Sequence, residues 1–430
     1  MASGRVQLAS SGIQDEPLTG EPQITYFLKK FNRHTHFAIE TSDNGVDGNI
    51  AFGGRVRCRI GKRGDLIRSI YLRLELSELS NAAAPYNVGY TDSICSSIIE
   101  YADLIIGGQT VHRLTGEFME IYSEFFVRNS QQLALKILTG KTGVREGLGP
   151  ASADPLITDA YDGAYPRTFL IALPFYFCGA DGLSIPLSAI DRHEVEVEIK
   201  LRPLSSLVVQ PHGSTYVDAA SITGQINKLS MPVEYVYLTD DENRYIRSKS
   251  IDYVITQLQL STFVIEPDTT DMTMLINFVN PVKELFLVIQ DQSAVESNTA
   301  TGNDWFNYKN KNNKIFPKFE QLSSLSLLFN NEERVADDVA TSLYLRYLHP
   351  IQFHTRCAVR NIYNYSFSLD PENHVPTGQV NMSRILNKIL KIKTTHSNKK
   401  RIARLYAISY NVLRINAGIS GVLFADTNLT

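Results

Sequence analysis

Gly140-Lys141-Thr142 has the ending of a phosphate-binding loop, in which backbone amides wrap the phosphates and the lysine reaches the outer ones. Such a loop needs a glycine five residues before Gly140, but Leu135 stands there, and no strand pattern feeds into it. His34 and His36 would share one face of a strand at metal-ligand spacing, yet no further ligand accompanies them. His193-Glu194 lacks the second histidine of a zinc-protease helix. Ser420 lies in Gly418-Ile419-Ser420-Gly421, which is not the G-x-S-x-G nucleophile elbow. Glu194, Glu196 and Glu198 alternate as a solvated strand face does, and Arg63-Gly64-Asp65 reads as a tight turn before it reads as an adhesion tripeptide. No catalytic, cofactor or metal constellation emerges.

The strongest charged feature is basic: Lys391, Lys393, Lys399, Lys400, Arg401 and Arg404. A solvated loop accounts for such a run; its functional alternative is contact with an acidic partner surface or anionic lipid. The net charge of -3 gives the molecule as a whole no electrostatic reason to coat nucleic acid. Asn364, Asn381 and Asn428 head glycosylation sequons, but the N-terminus has no basic start followed by an apolar block, so nothing marks the chain for secretion. Cys58, Cys95, Cys178 and Cys357 stand apart, as reduced, buried thiols do. The most apolar stretch, Phe169 to Cys178, is too short for a membrane span and carries Pro174.

The elements that would position these groups are strands. Tyr 21 and Phe 20 against a single Trp favour pleated surfaces, and 430 residues exceed the size at which one core stops growing, so two domains are expected. Val195, Val197, Ile199 and Leu201 alternate with Glu196, Glu198 and Lys200, and Ile70, Leu72, Leu74 and Leu76 alternate with Tyr71, Arg73 and Glu75. One wet and one dry face is the pattern of antiparallel sandwiches. Looser runs occur at 253–260, 285–289, 322–329 and 405–415, punctuated by Gly53-Gly54, Gly107-Gly108 and Asn330-Asn331.

Helices are few. Phe118, Ile121, Tyr122 and Phe125 make one apolar stripe behind a Thr115 cap, with Glu117 at the positive helix end. Val335, Val339 and Leu343 repeat helical spacing after Asn331. A strand, a tight turn and a helix thus occur in the same order around Gly107-Gly108 and around Asn330-Asn331, which points to two similar domains. Between them, Asp240-Asp241-Glu242-Asn243-Arg244 reads as a polar connector of about one helical turn. Segments 77–91, 139–166 and 291–317, the last holding Trp305, read as long surface loops.

Leu18-Thr19-Gly20-Glu21-Pro22-Gln23-Ile24-Thr25-Tyr26-Phe27, followed by Arg33-His34-Thr35-His36-Phe37, resembles the N-terminal signature of major capsid proteins of nucleocytoplasmic large DNA viruses, closest to the algal-virus type. Further matches follow in order: Gly64-Asp65-Leu66-Ile67, Ile106-Gly107-Gly108-Gln109, Leu173-Pro174-Phe175-Tyr176-Phe177, Leu183-Ser184-Ile185-Pro186-Leu187, and Tyr410-Asn411-Val412-Leu413-Arg414-Ile415. The resemblance implies an all-β double jelly roll: an arm over residues 1–22, a sandwich over 23–240, a connector over 241–249 and a sandwich over 250–430. It also implies a homotrimeric capsomer in the outer capsid of an icosahedral virion, assembled in the host cytoplasm and needing no cofactor. Minor capsid and penton proteins and the inner viral membrane side are the expected partners, with no sequence-specific nucleic-acid binding. The loops would face outward and the arm would run along the inner face. The competing readings are a carbohydrate-binding attachment protein, suggested by Trp305 and the loop tyrosines, and a cupin-like metalloenzyme, which lacks its ligand set.

Overall fold

The computed structural model describes residues 36–79, 89–141, 167–209, 221–296 and 303–424. The signature residues Gln23, Ile24, Thr25, Phe27, Arg33 and Thr35, with His34 and Asn428, lie outside them.

Alternation becomes pleat where the sequence is cleanest. In β4 (Leu66–Leu76) the side chains of Ile70, Leu72, Leu74 and Leu76 are buried, while Tyr71, Arg73 and Glu75 are half-exposed. It pairs with β12 (Ile226–Tyr237) and β8 (Arg167–Ala172), and β12 pairs in turn with β1 (Ala38–Asn44), giving the order β1-β12-β4-β8. The opposing sheet runs β3 (Arg55–Arg59), β10 (Val195–Leu201), β6 (Ile99–Ile106) and β7 (Gln109–Thr115), extended by β2 (Asp47–Gly48). Short β9 (Ile185–Pro186) joins β4, and β5 (Gly89–Tyr90) pairs with β11 (Val208–Val209). The glutamates of β10 face arginines on β3: Glu196 is registered on Arg59 and Glu198 on Arg57, with Arg57 donating to Glu198 at 2.8 Å.

The second sandwich repeats this plan. One sheet is β13 (Ile251–Ile265), β21 (Arg401–Asn416), β15 (Pro281–Asp291) and β18 (Tyr363–Ser366), with β19 (Val380–Asn381) and β22 (Ile419–Val422) attached. The other is β14 (Asp271–Leu275), β20 (Lys388–Thr394), β16 (Leu322–Phe329) and β17 (Glu332–Val335). Ranking the main strands of each unit by sequence gives the same two orders in both: first, last, third, sixth, facing second, seventh, fourth, fifth. That is the eight-stranded jelly roll, present twice.

Two expectations about helices change. The spacing of Val335, Val339 and Leu343 does not mark a helix. Asn330 and Asn331 take left-handed φ of 51° and 70°, so the chain reverses in a hairpin and Val335 pairs across from Leu327 on β16, while Val339 and Leu343 are exposed. The helix begins later, over residues 342–353, with a π turn at Tyr344–Leu348 and a last α-helical turn at His349–Phe353. In the first sandwich the Gly107-Gly108 turn likewise feeds strand β7 before the helix, so both copies read strand, hairpin turn, strand, helix. Gly107 is obligatory: at φ 59° a Cβ would stand 2.3 Å from the His193 ring. The connector is a nine-residue helix, longer than one turn.

In chain order the helices are α1 (Ile94–Ile98), α2 (Gly116–Phe125), α3 (Gln132–Thr139), α4 (Asp240–Ser248) and α5 (His349–Phe353). Within the β13-β21-β15-β18 sheet, β15 and the middle of β21 are buried on both faces. Leu285, Leu287, Ile289, Leu405 and Ala407 enter the core of the second sandwich, and Phe286, Val288, Tyr406 and Ile408 join a core continuous with the first.

Candidate functional site

The element between the sandwiches is α2. Thr115 caps it, accepting the Phe118 N–H at 3.2 Å, and its apolar stripe packs as the spacing predicts: Ile121 and Phe125 are fully buried. The ring of Phe125 lies 5.1 Å from that of Phe286 on β15, and Phe118 lies 6.1 Å from Tyr406 on β21. Beside this stripe the helix presents Glu117, Glu120 and Glu124 to four basic groups, three of them from the second sandwich and its approaches. Positions i, i+3 and i+7 fall on one helical face.

Glu117 accepts from Arg404 through two bonds, 2.5 and 2.6 Å long, and from the hydroxyls of Tyr308 (2.9 Å) and Tyr406. Glu120 accepts from Arg360 at 2.8 Å and from Lys141 at 2.7 Å. Glu124 takes Lys141 as well, together with the Val359 N–H at 2.7 Å and Arg356 at 3.6 Å. Arg360 also donates to Asp92 at 2.9 Å and to the Phe306 carbonyl at 2.9 Å. Burial would raise the Glu120 carboxyl, but the Lys141 and Arg360 charges outweigh it and hold the group at about 2. Burial would lower the Arg404 guanidinium; the Glu117 carboxylate reverses this and holds it above its ordinary range.

A second buried pair lies against the same helix end. His354 bonds Glu284 and packs 5.1 Å from the Phe125 ring, with Glu372 3.4 Å from its other nitrogen. Burial alone would make this histidine more acidic, but the two carboxylates raise it to about 9. Removing one partner of a buried pair costs far more than the pair contributes against an apolar substitute, so the pairs that cross between the units, Arg404 with Glu117 and Arg360 with Glu120, fix the relative orientation of the sandwiches.

The basic run is divided by the structure. Lys391 and Lys393 project from β20, and Lys399 and Lys400 sit in the following loop, all exposed. Arg401 is fully buried, donating to Gln321, Thr269, Thr394 and Thr395, and Arg404 is spent on Glu117. The six therefore do not form one solvated patch, because β21 alternates into two buried layers where the sequence suggested a loop. The acid that Arg404 meets belongs to its own chain.

Lys141 of the incomplete phosphate-loop motif is a seam residue, and Gly140 is the left-handed C-cap of α3. Asp65 accepts the Leu238 N–H and the Asn243 amide at 2.9 and 2.8 Å, tying its turn to α4, and a Cβ on Gly64 would stand 2.7 Å from Tyr235. Pro174 and Phe175 border the seam, with Phe175 edge-on to buried His112 at 5.8 Å. Pro186 pairs with Leu66. Asn411 is buried and bonds Gln257 at 2.7 Å and the Phe424 carbonyl at 2.8 Å; Arg414 makes an exposed pair with Asp252 at 2.7 Å. Phe37 is exposed ahead of β1. Gly108 completes the Gly107 turn, and the His193 imidazole receives the Ser420 N–H at 3.2 Å across the two sandwiches. Trp305 is not on a free loop tip: its ring carries Arg202 at 4.0 Å and its N–H bonds the Ser206 carbonyl at 2.7 Å, both in the first sandwich. Among the described residues no group of three His, Cys, Asp or Glu could hold a metal ion.

Sequence reasoning found the apolar stripe of α2 and missed its acidic one. The signal was present, since Glu117, Glu120 and Glu124 flank that stripe. Arg356 and Arg360 carry no such signal, because they lie in irregular chain.

Residues 25–239 match the family described as major capsid protein N-terminus, and residues 242–421 match that described as large eukaryotic DNA virus major capsid protein. The chain is 27% identical to the major capsid protein of Pyramimonas orientalis virus, covering 99% of this chain and 100% of that one. To the major capsid protein of Paramecium bursaria Chlorella virus 1 it is 26% identical, again over 99% and 100%. Its fold superposes on the PBCV-1 virus capsid quasi-atomic model with a TM-score of 0.75, at 23% identity over 94% of this chain and 100% of that one. The Faustovirus major capsid protein superposes at 0.74, with 11% identity over 92% and 93%. Two sandwiches of one strand order, joined by a helix seam and matched in sequence nearly end to end, place the chain among the major capsid proteins of large eukaryotic DNA viruses, to which it belongs.

Proposed function

We propose that three copies of this chain close into a pseudo-hexagonal capsomer that tiles the outer shell of an icosahedral virion. The observation that carries this is the double jelly roll of one strand order, held in a fixed orientation by the α2 seam. Two similar corners per chain, taken three times, give six comparable corners under closed three-fold symmetry. The purified chain, weighed in solution at micromolar concentration, is expected at three times its 48.2 kDa mass; a monomer at every concentration overturns the reading.

The role is structural and uses no cofactor or enzymatic step. Residues 23–240 and 250–430 act as the two building units around a 241–249 connector, which the same strand order on either side of α4 supports. The arm over residues 1–22 and the exposed Lys391, Lys393, Lys399 and Lys400 are the surfaces offered to minor capsid and penton proteins or to the inner membrane. Their acidic neighbours, such as Asp337 beside Lys393 and Glu266 3.4 Å from Lys400, form exposed pairs that a partner displaces at little cost. Assembly takes place in the host cytoplasm.

A further inference from the structure

Beside the seam, the chain over 303–319 closes on a cavity of about 400 Å³. Four cations line it, Lys309, Lys311, Lys314 and Arg360, against two carboxylates, Asp92 and Asp304. In a chain of net charge -3 this is a local reversal of sign. The mouth is wet, since Lys311 and Lys314 are exposed, and the floor is dry, since Tyr308 and Asn361 are 1% and 2% exposed.

The floor holds polar groups that the chain does not satisfy. Arg360 is buried, and its guanidinium, with five N–H groups, meets three acceptors: Glu120, the Phe306 carbonyl and Asp92. Two N–H groups are left without an acceptor among the described residues. Next to it, Asn361 gives its amide nitrogen to the Phe319 carbonyl and to Glu320, both at 3.1 Å, while its Oδ1 has no partner among the described residues. Turning the amide round would set that oxygen against two acceptors, so its orientation is fixed. Buried donors and acceptors are seldom left unpaired, and here both kinds gather in the wall of one cavity.

The lysines ride on a braced segment. Asn307, Asn310 and Asn313 each accept the backbone N–H two residues on, from Lys309, Asn312 and Ile315, at 3.1, 3.1 and 3.0 Å. Asn310 also bonds the Thr395 hydroxyl at 2.9 Å and the His396 carbonyl at 3.1 Å, and Asn313 bonds the Glu320 carbonyl at 3.2 Å. Lys314 stands over the Phe319 ring, 5.1 Å from its centre. No residue from 309 to 319 belongs to either hydrophobic core, so core packing does not account for the bracing. Turns of this kind fix the backbone before a ligand arrives and so lower the ordering cost of binding.

We propose that this cavity binds a hydroxylated organic anion of monosaccharide size, a sugar acid. Its carboxylate lies among Lys309, Lys311 and Lys314, and its ring lies against Phe306 and Phe319. Its hydroxyls accept from the spare N–H groups of Arg360 and donate to Asp304 and Asn361. The volume falls in the range of small-molecule sites, roughly 300–1,000 Å³, and an inorganic ion would leave most of it to water. A neutral sugar would leave the lysines unanswered. The site is complete within one chain, so it goes beyond the capsomer reading and does not depend on it.

The test is calorimetric titration of the full-length chain, in the oligomeric state that its solution mass reports, with sodium glucuronate, glucose, sodium acetate and inorganic phosphate. Glucuronate has about 13 non-hydrogen atoms, and at the efficiency of drug-sized ligands a Kd of about 1 mM is expected. The other three probes each carry only part of the recognised pattern and are expected to bind at least about tenfold more weakly. The double variant Lys311→Ala/Lys314→Ala removes two exposed side chains, so it is expected to fold, as circular dichroism would report, and to weaken glucuronate at least about fivefold with a flatter salt dependence. Lys318→Ala, at an exposed lysine of the same segment outside the cavity, is expected to change the affinity less than about twofold. No glucuronate binding up to about 20 mM, or a double variant that binds it as the unmodified chain does, overturns the site. Acetate or phosphate binding as tightly as glucuronate overturns the sugar, and glucose binding as tightly overturns the role of the lysines. The mass measured alongside keeps each of these results separate from the fate of the trimer.

Discussion

Removing Glu117 should unlock the two sandwiches before either unfolds. In Glu117→Ala the Arg404 guanidinium, 16% exposed, loses both carboxylate bonds and keeps Gln290 as its side-chain partner, while the Tyr308 and Tyr406 hydroxyls lose their acceptor. One-sided removal of a buried pair costs about 3–5 kcal/mol. Each orphaned hydroxyl adds up to about 1–3 kcal/mol, less whatever it regains by turning. A total near 5 kcal/mol is expected, with Arg404→Leu at about 3 and the double variant Glu117→Ala/Arg404→Leu at about 5 where the two singles would add to about 8, so the cycle gives a coupling of about 3 kcal/mol. The single tryptophan supplies the assay. Trp305 belongs to the second sandwich's chain and touches Arg202 and Ser206 of the first, so its emission reports the seam while far-ultraviolet dichroism reports the strands. In guanidinium the two signals should coincide in the unmodified chain and separate in Glu117→Ala, tryptophan first. A Glu117→Ala loss under about 1 kcal/mol, or a double variant as costly as both singles together, refutes the view that this pair holds the seam.

Stability should also depend on pH from both sides. His354, raised from 6.5 to about 9, contributes stability that is fully present below pH 6.5 and is lost as pH rises through about 9, amounting to about 3 kcal/mol. Denaturant titrations between pH 6.5 and 10 should lose this slope in His354→Gln, and an unchanged slope would count against the pairing. Glu120, lowered from 4.5 to about 2, contributes stability present above pH 4.5 and lost as pH falls through about 2. His112, lowered by burial from 6.5 to about 3, acts in the same direction from pH 6.5 downward. Gly107→Ala should reduce soluble yield and melting temperature by forcing His193 off Ser420, measurable against Gly108→Ala, whose Cβ would meet nothing within 4 Å. Asn364 is buried and donates to Glu284 at 2.7 Å, so glycopeptide mapping of folded protein should find it unmodified despite its sequon.

How far the fold could be read ahead follows from how many faces each strand shows to water. β4 and β10 have one dry face, and their alternation reveals the strand and its inward residues directly. β15 reads less clearly because nearly all of Val282–Gln290 is buried, alternate residues serving two different cores; period two vanishes when both faces are dry. The false helix at Val335–Leu343 arose because three residues at four-residue spacing fit a helix and also fit a strand, a turn and a later helix start. The paired left-handed asparagines were the better guide. The seam was the least legible part. Its acids sit on one visible helix, but Arg360, Arg356 and Arg404 reach it from segments some 230 to 290 residues away, and only the folded topology brings them together.

The charged character of the internal seam follows from when that contact forms. The internal seam closes once, within a single chain, where both sandwiches are held at high effective concentration by α4. Under those conditions a cluster of acids and bases can meet the cost of desolvation, and its directional bonds set one angle between the sandwiches.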